Sequence, residues 1–223
     1  MTKHLLRDLE ELGESLMRMS IATENALAKA LDAILTRNVE EAKEVVAGDA
    51  EIDRMEVALE EEALKILALH VPVASDLRFV IAAIKINNDL ERIADVAATV
   101  AKRAADLAKK PPVPAPEGFD EMAQRARTML REAIRSLVKR DQALAAKVLA
   151  EDDEVDALER RILQALEDRM QEAPEEIPAL LRWVSAVRAV ERIADGATNV
   201  AEDVIYLEEG EIVRHQGGDW ARE

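Results

Sequence analysis

The apolar positions of the first 110 residues recur every three or four residues, with breaks that divide the pattern into three segments. One face of the first segment, ending near Thr36, carries Leu5, Leu9, Leu12, Leu16, Met19, Leu27, Leu31 and Ile34. Asn38 followed three residues later by Glu41 is typical of a helix start. Pro72 interrupts the second segment near His70, and Ser75 is expected to cap a third helix ending at Lys109 or Lys110. The pattern therefore predicts three long helices.

The second half follows the same plan after a stretch that cannot be helical, the segment PPVPAPEG at 111–118. A helix is predicted from Phe119 to about Arg140, a cap at Asp141, a helix to about Gln171, a break at Pro174 and a last helix to about Glu208. The predicted organisation is a first three-helix repeat at 1–110, a linker at 111–118, a second repeat at 119–210 and a tail at 211–223.

The two halves are also related in sequence. Met19 and Asn38 match Met122 and Asp141 at a separation of 103 residues. The segment Glu91-Arg92-Ile93-Ala94-Asp95 recurs 100 residues later as Glu191-Arg192-Ile193-Ala194-Asp195. An internal duplication thus covers almost the whole chain. We expect an all-α protein of two tandem three-helix bundles, elongated because helices of about 30 residues are about 45 Å long.

Composition narrows the class of protein. Apolar residues make up 49% of the chain but aromatic residues only 2%, and there is no cysteine. The formal net charge of −16 repels phosphate backbones, which argues against nucleic acid as a partner. No apolar run approaches the roughly 18 residues of a membrane span, and the N-terminal region has no signal-peptide centre. We therefore expect a cytoplasmic protein that does not insert into the membrane.

Carboxylates at four-residue spacing are the candidate functional groups. Glu91 and Asp95 share a helix face, as do Glu191 and Asp195, and the face of the second pair continues with Asn199. The middle helices carry Asp49, Asp53 and Glu56, with their counterparts Asp152, Asp156 and Glu159. If these faces meet, their oxygen ligands suit iron, manganese, magnesium or calcium. Alternatively, the carboxylates are solvated or paired with arginines, and both interpretations stay open here.

Nothing in the sequence indicates catalysis. A ferritin-type di-metal oxidase needs two Glu-x-x-His motifs, and the sequence has none. Gly-x-Ser-x-Gly, phosphate-cradling glycine loops and cysteine nucleophiles are also missing. We therefore expect a binding protein rather than an enzyme, with a purely structural helical spacer as a further alternative.

The chain resembles the PhoU family of cytosolic regulators of bacterial phosphate uptake. The resemblance rests on the two Glu-Arg-Ile-x-Asp motifs, the runs 55–61 and 72–78, and the segment Arg214-His215-Gln216-Gly217-Gly218-Asp219. It implies paired three-helix bundles, often dimeric, some with iron clusters on the motif carboxylates. The implied ligands are Glu91, Asp95, Glu191 and Asp195, with Asp53, Asp156 and Asn199 as weaker additions. Ala94 and Ala194 replace the family's usual glycine.

The resemblance also implies partners and a role. The partners would be the ATPase subunit of the phosphate ABC transporter and a membrane sensor histidine kinase, between which the protein acts as a non-enzymatic adaptor and negative regulator of phosphate-starvation signalling. A homodimer is expected, as is a hard divalent or trivalent metal ion, such as iron, that folding does not require. The alternatives are a carboxylate-bridged metal-binding protein and an accessory protein of a low-affinity phosphate carrier.

Overall fold

Six α-helices account for most of the chain in a computed structural model that describes residues 3–209. The helices are α1 (Lys3–Thr36), α2 (Val39–His70), α3 (Ser75–Ala108), α4 (Phe119–Lys139), α5 (Gln142–Glu172) and α6 (Ile177–Glu209). A single 3-10 turn at Pro174–Glu176 precedes α6, and the described residues contain no strand. The predicted all-α fold is confirmed. The predicted tail at 211–223 lies outside the described residues.

The helix starts follow local sequence signals in two of three places. The side chains of Asn38 and Asp141 accept hydrogen bonds from the backbone N–H groups of Glu41 and Leu144, as expected of N-caps. The prediction that Ser75 caps α3 was wrong. Ala74 precedes the helix with a φ of 49° and makes no side-chain cap, so Ser75 is already the first helical residue. A capping side chain needs an extended backbone, which this turn does not provide.

Each half of the chain forms one three-helix bundle. Helices α1, α2 and α3 pack against one another, and so do α4, α5 and α6. The core consists mainly of Leu, Ile, Val and Ala side chains. The buried Asn87 of α3 donates a hydrogen bond to the carbonyl oxygen of Glu56 on α2, at 2.9 Å. In the described part of the chain, no helix is both long and apolar enough to cross a membrane.

The two bundles meet along α3 and α6, which run antiparallel to each other. Lys85 pairs with Asp203, Arg103 donates to Ser185, and Ile93 lies against Gly196, so residue numbers fall along one helix as they rise along the other. Because the duplication relates positions 85 and 103 to 185 and 203, these contacts follow an approximate twofold axis. The register places the buried Ala94 and Ala194 near that axis. Their small side chains suit a close approach of the two helices.

The two halves differ at their first helix, because the linker precedes a shorter helix in the second half. Helix α4 has 21 residues, whereas α1 has 34, so the second bundle lacks a counterpart to the start of α1. Val113 of the linker is buried. Phe119 at the start of α4 packs edge-to-face on Trp183, with ring centroids 5.0 Å apart. The linker therefore contributes Val113 to the hydrophobic core as well as joining the two bundles.

Candidate functional site

In both bundles, carboxylates of the middle helix affect the pKa of a carboxylate on the third helix. The first carboxylate face consists of Asp49, Asp53 and Glu56 on α2 with Glu91 and Asp95 on α3. Burial raises the pKa of Glu91, and the negative charges of Asp95 and Asp53 raise it further. Burial and the neighbouring carboxylates of α3 and α2 thus make ionisation of Glu91 less favourable than in water.

The second carboxylate face consists of Asp152, Asp156 and Glu159 on α5 with Glu191, Asp195 and Glu202 on α6. Burial, followed by the charge of Asp195, raises the pKa of Glu191 to about 7. Burial, again followed by the charge of Asp195, raises the pKa of Asp152 to about 6. The second face therefore holds carboxylates that are partly protonated near neutral pH.

One pair of equivalent positions contributes to the difference between the faces. Lys102 of α3 lowers the pKa of Asp49, opposing the burial that raises it. Glu202 occupies the equivalent position on α6 and raises the pKa of Asp152 instead. The first face has a cation built into its edge, whereas the second has an additional carboxylate. A bound cation would relieve more repulsion on the second face.

Arginines neutralise these carboxylates only in part. Arg92 lies 3.9 Å from Asp89, and Arg182 lies 3.6 Å from Asp106. Both guanidinium groups therefore pair with carboxylates other than Glu91 and Glu191. Arg192 lowers the pKa of Asp195, although burial raises it more strongly. Arg160 lies 3.6 Å from Asp156 of the second face, so this carboxylate has an arginine partner, but a fully arginine-paired face does not fit the described residues.

Asn199 is the remaining candidate ligand, and it faces α3 of the other bundle. It lines a groove of about 190 Å³ between α3 and α6, together with Asp195 and the related Arg92 and Arg192. Asp195 is thus shared between the second face and this groove. Of the sequence candidates, Asp53 groups with Glu91, and Asp156 with Glu191, through their effects on pKa.

The donor chemistry of the second face suits a hard cation. All of its groups are carboxylates, and burial, followed by the negative charges of Asp195 and Glu159, raises the pKa of Glu191. As these side chains stand, no three Asp, Glu or His residues among positions 3–209 are close enough together to hold a metal ion. Binding would therefore require carboxylate side chains to change rotamer, which half-exposed groups can do.

Two buried aspartates, Asp89 and Asp203, were not predicted from the sequence. Asp203 is 2% exposed, and one of its carboxylate oxygens lies 3.1 Å from Nζ of Lys85 in the other bundle. The ammonium of Lys85 also lies 4.6 Å from the ring centroid of Tyr206. A signal was available, because Asp203 shares a helix face with Val200 and Leu207, two apolar positions of α6. An aspartate on such a face indicates a buried ion pair.

This architecture defines a class: duplicated helical proteins built from two three-helix bundles, each with a carboxylate face. The PhoU domain family matches residues 16–104 and 119–204, one domain in each bundle. The chain is 39% identical over 212 residues to the phosphate-specific transport system accessory protein PhoU homolog of Aquifex aeolicus, covering 95% of this chain and 96% of that protein. It is 31% identical to the Escherichia coli protein PhoU, with coverage of 95% and 88%.

Solved structures agree with this match. The crystal structure of PhoU from Pseudomonas aeruginosa superposes with a TM-score of 0.88 at 35% identity, covering 92% of this chain and 99% of that one. The phosphate transport system regulatory protein PhoU from Streptococcus pneumoniae gives a TM-score of 0.87 at 28% identity, with coverage of 94% and 99%. The chain belongs to the PhoU family.

Proposed function

We propose that this protein is a non-enzymatic accessory protein that negatively regulates phosphate uptake and phosphate-starvation signalling at the cytoplasmic side of the membrane. It acts as an adaptor between the ATPase subunit of the phosphate ABC transporter and a sensor histidine kinase. The observation that carries this proposal is the pair of PhoU domains, one in each bundle. Full-length relatives named phosphate-specific transport system accessory protein support it.

The duplicated fold suits an adaptor because it presents two related but unequal surfaces. A groove of about 560 Å³ lies between α4 and α5, lined by Arg125, Met129 and Glu132. A groove of about 250 Å³ lies at the equivalent place between α1 and α2, lined by Ala22, Ala26 and Lys29. Two sites of the same origin but different charge can bind two different proteins. A homodimer would double both surfaces.

The regulatory role is tested by deleting the gene from its host and measuring a phosphate-starvation reporter in phosphate-rich medium. We expect high reporter activity in the deletion strain and repression on complementation with the intact chain. Normal repression in a strain without a second copy of the gene would refute the role.

Capture of partners separates the two phosphate-related alternatives. Tagged protein from phosphate-replete cells should retain the ABC transporter ATPase and the sensor kinase. Retention of a low-affinity phosphate carrier instead would favour the alternative function. The reporter and capture experiments are independent, because a repressing protein could act through either transporter.

We also propose that the second carboxylate face binds a hard divalent or trivalent cation such as iron. Asp152, Asp156, Glu191 and Asp195 would hold it, with Asn199 within reach from the neighbouring groove. When bound, the ion would supply positive charge that removes repulsion among these side chains. Folding does not depend on it, because both bundles have continuous apolar cores. The first face, with Glu91, Asp95 and Asp53, would bind more weakly beside Lys102.

A further inference from the structure

A groove between α2 and α3 concentrates positive charge on a protein whose formal net charge is −16. Its volume is about 560 Å³, and we call it the α2–α3 groove. Lys43 of α2 lies on one side of the groove, and Lys102, Arg103 and Lys109 of α3 lie on the other. Among the described residues that line it, Asp106 is the one carboxylate. The α2–α3 groove is therefore opposite in sign to the chain as a whole.

Asp106 does not balance the cations around it. Its carboxylate lies 3.6 Å from side-chain nitrogens of Arg103, Lys109 and Arg182, so one negative charge is shared among three positive charges. At this distance the contacts are longer than hydrogen bonds, and each cation is neutralised only in part. The groove thus keeps the capacity to attract an anionic ligand.

The floor of the α2–α3 groove is apolar. Val46 and Ala47 of α2 and Ala105 of α3 line it, and Val46 is 36% exposed. A small inorganic anion would gain nothing from such a floor, because it would give up water without finding polar partners there. Apolar residues between two helices, with charges on both sides, instead match the kind of groove that binds an amphipathic helix. The complementary ligand has an apolar stripe bordered by Asp or Glu side chains.

The second repeat does not reproduce this charge. The residues equivalent to the four cations of the groove are Ala146, Glu202, Asp203 and Glu209. The second bundle packs its middle helix on its third helix with an alanine and three carboxylates at these positions. Packing of α2 on α3 therefore does not require the cations of the first repeat, which favours a role for them in binding.

We propose that the α2–α3 groove is the docking site for an acidic amphipathic helix of a partner protein. Apolar side chains of that helix would rest on Val46 and Ala47, and its carboxylates would pair with Lys43, Lys102 and Lys109. A second copy of this chain is a poorer occupant, because two molecules of net charge −16 repel each other. Nucleic acid offers no apolar stripe for the floor. Either partner of the proposed adaptor could carry such a helix, and that link alone rests on the proposed function.

A synthetic helix of about 18 residues, with leucines along one side and glutamates on both flanks, is a suitable probe. Because the net charge of −16 disfavours acidic ligands elsewhere on the protein, binding of this peptide reports on the groove. Fluorescence anisotropy of the labelled peptide measures its affinity. We expect the affinity to fall as the salt concentration rises, and to fall at least about tenfold when the leucines are replaced by alanines.

The groove variant carries Lys43→Glu with Lys109→Glu. Lys43 is 65% exposed and pairs with the exposed Glu40, and Lys109 is 75% exposed, so folding should not suffer. The matched control variant carries Lys65→Glu with Arg161→Glu, which changes the net charge equally at two exposed positions. Lys65 lies about 33 Å along α2 from Lys43, and Arg161 belongs to the other bundle. Circular dichroism confirms that both variants remain helical.

The groove variant should bind the peptide at least about tenfold more weakly than the intact chain, and the control variant should stay within about twofold of it. Equal weakening in the two variants would assign the effect to net charge and overturn the proposal, as would no binding of the peptide to the intact chain. Binding to phosphatidylglycerol vesicles without binding to the peptide would identify a membrane as the occupant. A dimer that dissociates only in the groove variant would identify a second copy, and either result would overturn the proposal.

Capture from cells distinguishes failure of this docking site from failure of the adaptor role. The tagged groove variant from phosphate-replete cells should lose the ABC transporter ATPase or the sensor kinase, whereas the control variant should retain both. Retention of both by the groove variant would overturn the docking site and leave the adaptor role intact. Retention of neither by the intact chain would refute the adaptor role, and peptide binding would then decide the docking site by itself.

Discussion

Nζ of Lys85 lies 3.1 Å from a carboxylate oxygen of Asp203, and this contact is an ion pair between the two bundles. The duplication relates it to the hydrogen bond from Arg103 to Ser185, in which a hydroxyl takes the place of the carboxylate. The approximate twofold axis thus relates one charged contact to one weaker polar contact. Comparing these two contacts therefore tests how much the buried charge contributes to the free energy of unfolding.

Replacing Lys85 with methionine should destabilise the protein by about 3 kcal/mol, because the buried Asp203 loses its cation. The estimate takes the lower end of the range for a broken buried pair, since Lys85 is itself 31% exposed. Arg103→Met should lower the free energy of unfolding by only about 1 kcal/mol, the contribution of an ordinary hydrogen bond. Urea denaturation of both variants measures the difference. Equal losses would mean that burial of Asp203 makes this contact no stronger than its counterpart.

Gly196 determines how closely α3 and α6 approach. A Cβ atom at this position would lie 2.6 Å from Cγ1 of Ile93, which is closer than atoms can pack. Gly196→Ala should therefore destabilise the protein by about 1 to 3 kcal/mol, although alanine favours helix. The control is Gly48→Ala on α2, where a Cβ would meet nothing within 4 Å. That variant should be more stable by up to about 1 kcal/mol.

Thermal unfolding of the two alanine variants would separate packing from helix propensity. Adding Ile93→Ala to Gly196→Ala should reduce the additional loss caused by the clash. If Gly196→Ala stabilises the protein as Gly48→Ala does, the helices do not approach each other closely at Ile93.

The raised pKa of Glu191 predicts how stability depends on pH. Its pKa of about 7 in the folded protein exceeds the ordinary value of 4.5, so the folded state binds the proton more tightly than the unfolded state. Stability contributed by this group therefore increases as the pH falls from about 8 through 7, and the gain is complete near pH 4.5. Glu191→Gln should remove that dependence and make the protein more stable at pH 8.

Comparing Glu191→Gln with Glu91→Gln separates the effect of Glu191 on stability from the effects of other titrating groups. The pKa of Glu91 is also raised by burial and by neighbouring carboxylates, but Lys102 offsets part of the charge on its face. Its variant should gain less stability at pH 8. Urea denaturation at pH 8 and pH 6 gives both differences, and a larger gain for Glu91→Gln would reverse the ranking of the two faces.

The helices were predictable because their signals are local. Regular apolar spacing and the side chains of Asn38 and Asp141 fixed where α2 and α5 begin. The prediction of a cap at Ser75 was wrong because the start of α3 depends on the left-handed backbone of Ala74. No side chain specifies that conformation. The sequence places a serine before a long apolar pattern, and that combination resembles a cap.

For each carboxylate face, the sequence predicted only which carboxylates share a side of one helix, and it did not predict how closely the two helices bring them together. Helical periodicity places Glu191 and Asp195 on one face, but the raised pKa of Asp152 depends on how closely α5 approaches α6. The contact between Lys85 and Asp203 depends on the antiparallel register of helices more than 100 residues apart. Such distances follow from packing of the whole core and have no local pattern.

The last prediction concerns the proposed cation. Because Glu202 replaces Lys102 at the edge of the second face, manganese(II) or iron(II) should bind there more tightly than to the first face. The double variant Glu191→Ala with Asp195→Ala should lose most of the bound metal. The matched variant Glu91→Ala with Asp95→Ala should retain most of it, since it removes the equivalent residues of the other repeat.

Elemental analysis of protein purified without chelator, followed by titration of the apoprotein with manganese(II), measures the metal content of each variant. Added metal should raise the melting temperature of the intact chain more at pH 8 than at pH 6, because protons compete for Glu191 and Asp152 at the lower pH. Lys102→Glu should increase binding at the first face. Equal metal content in the two double variants would exclude the second face as the preferred site. Unfolding of the apoprotein at room temperature would instead show that the ion is needed for folding.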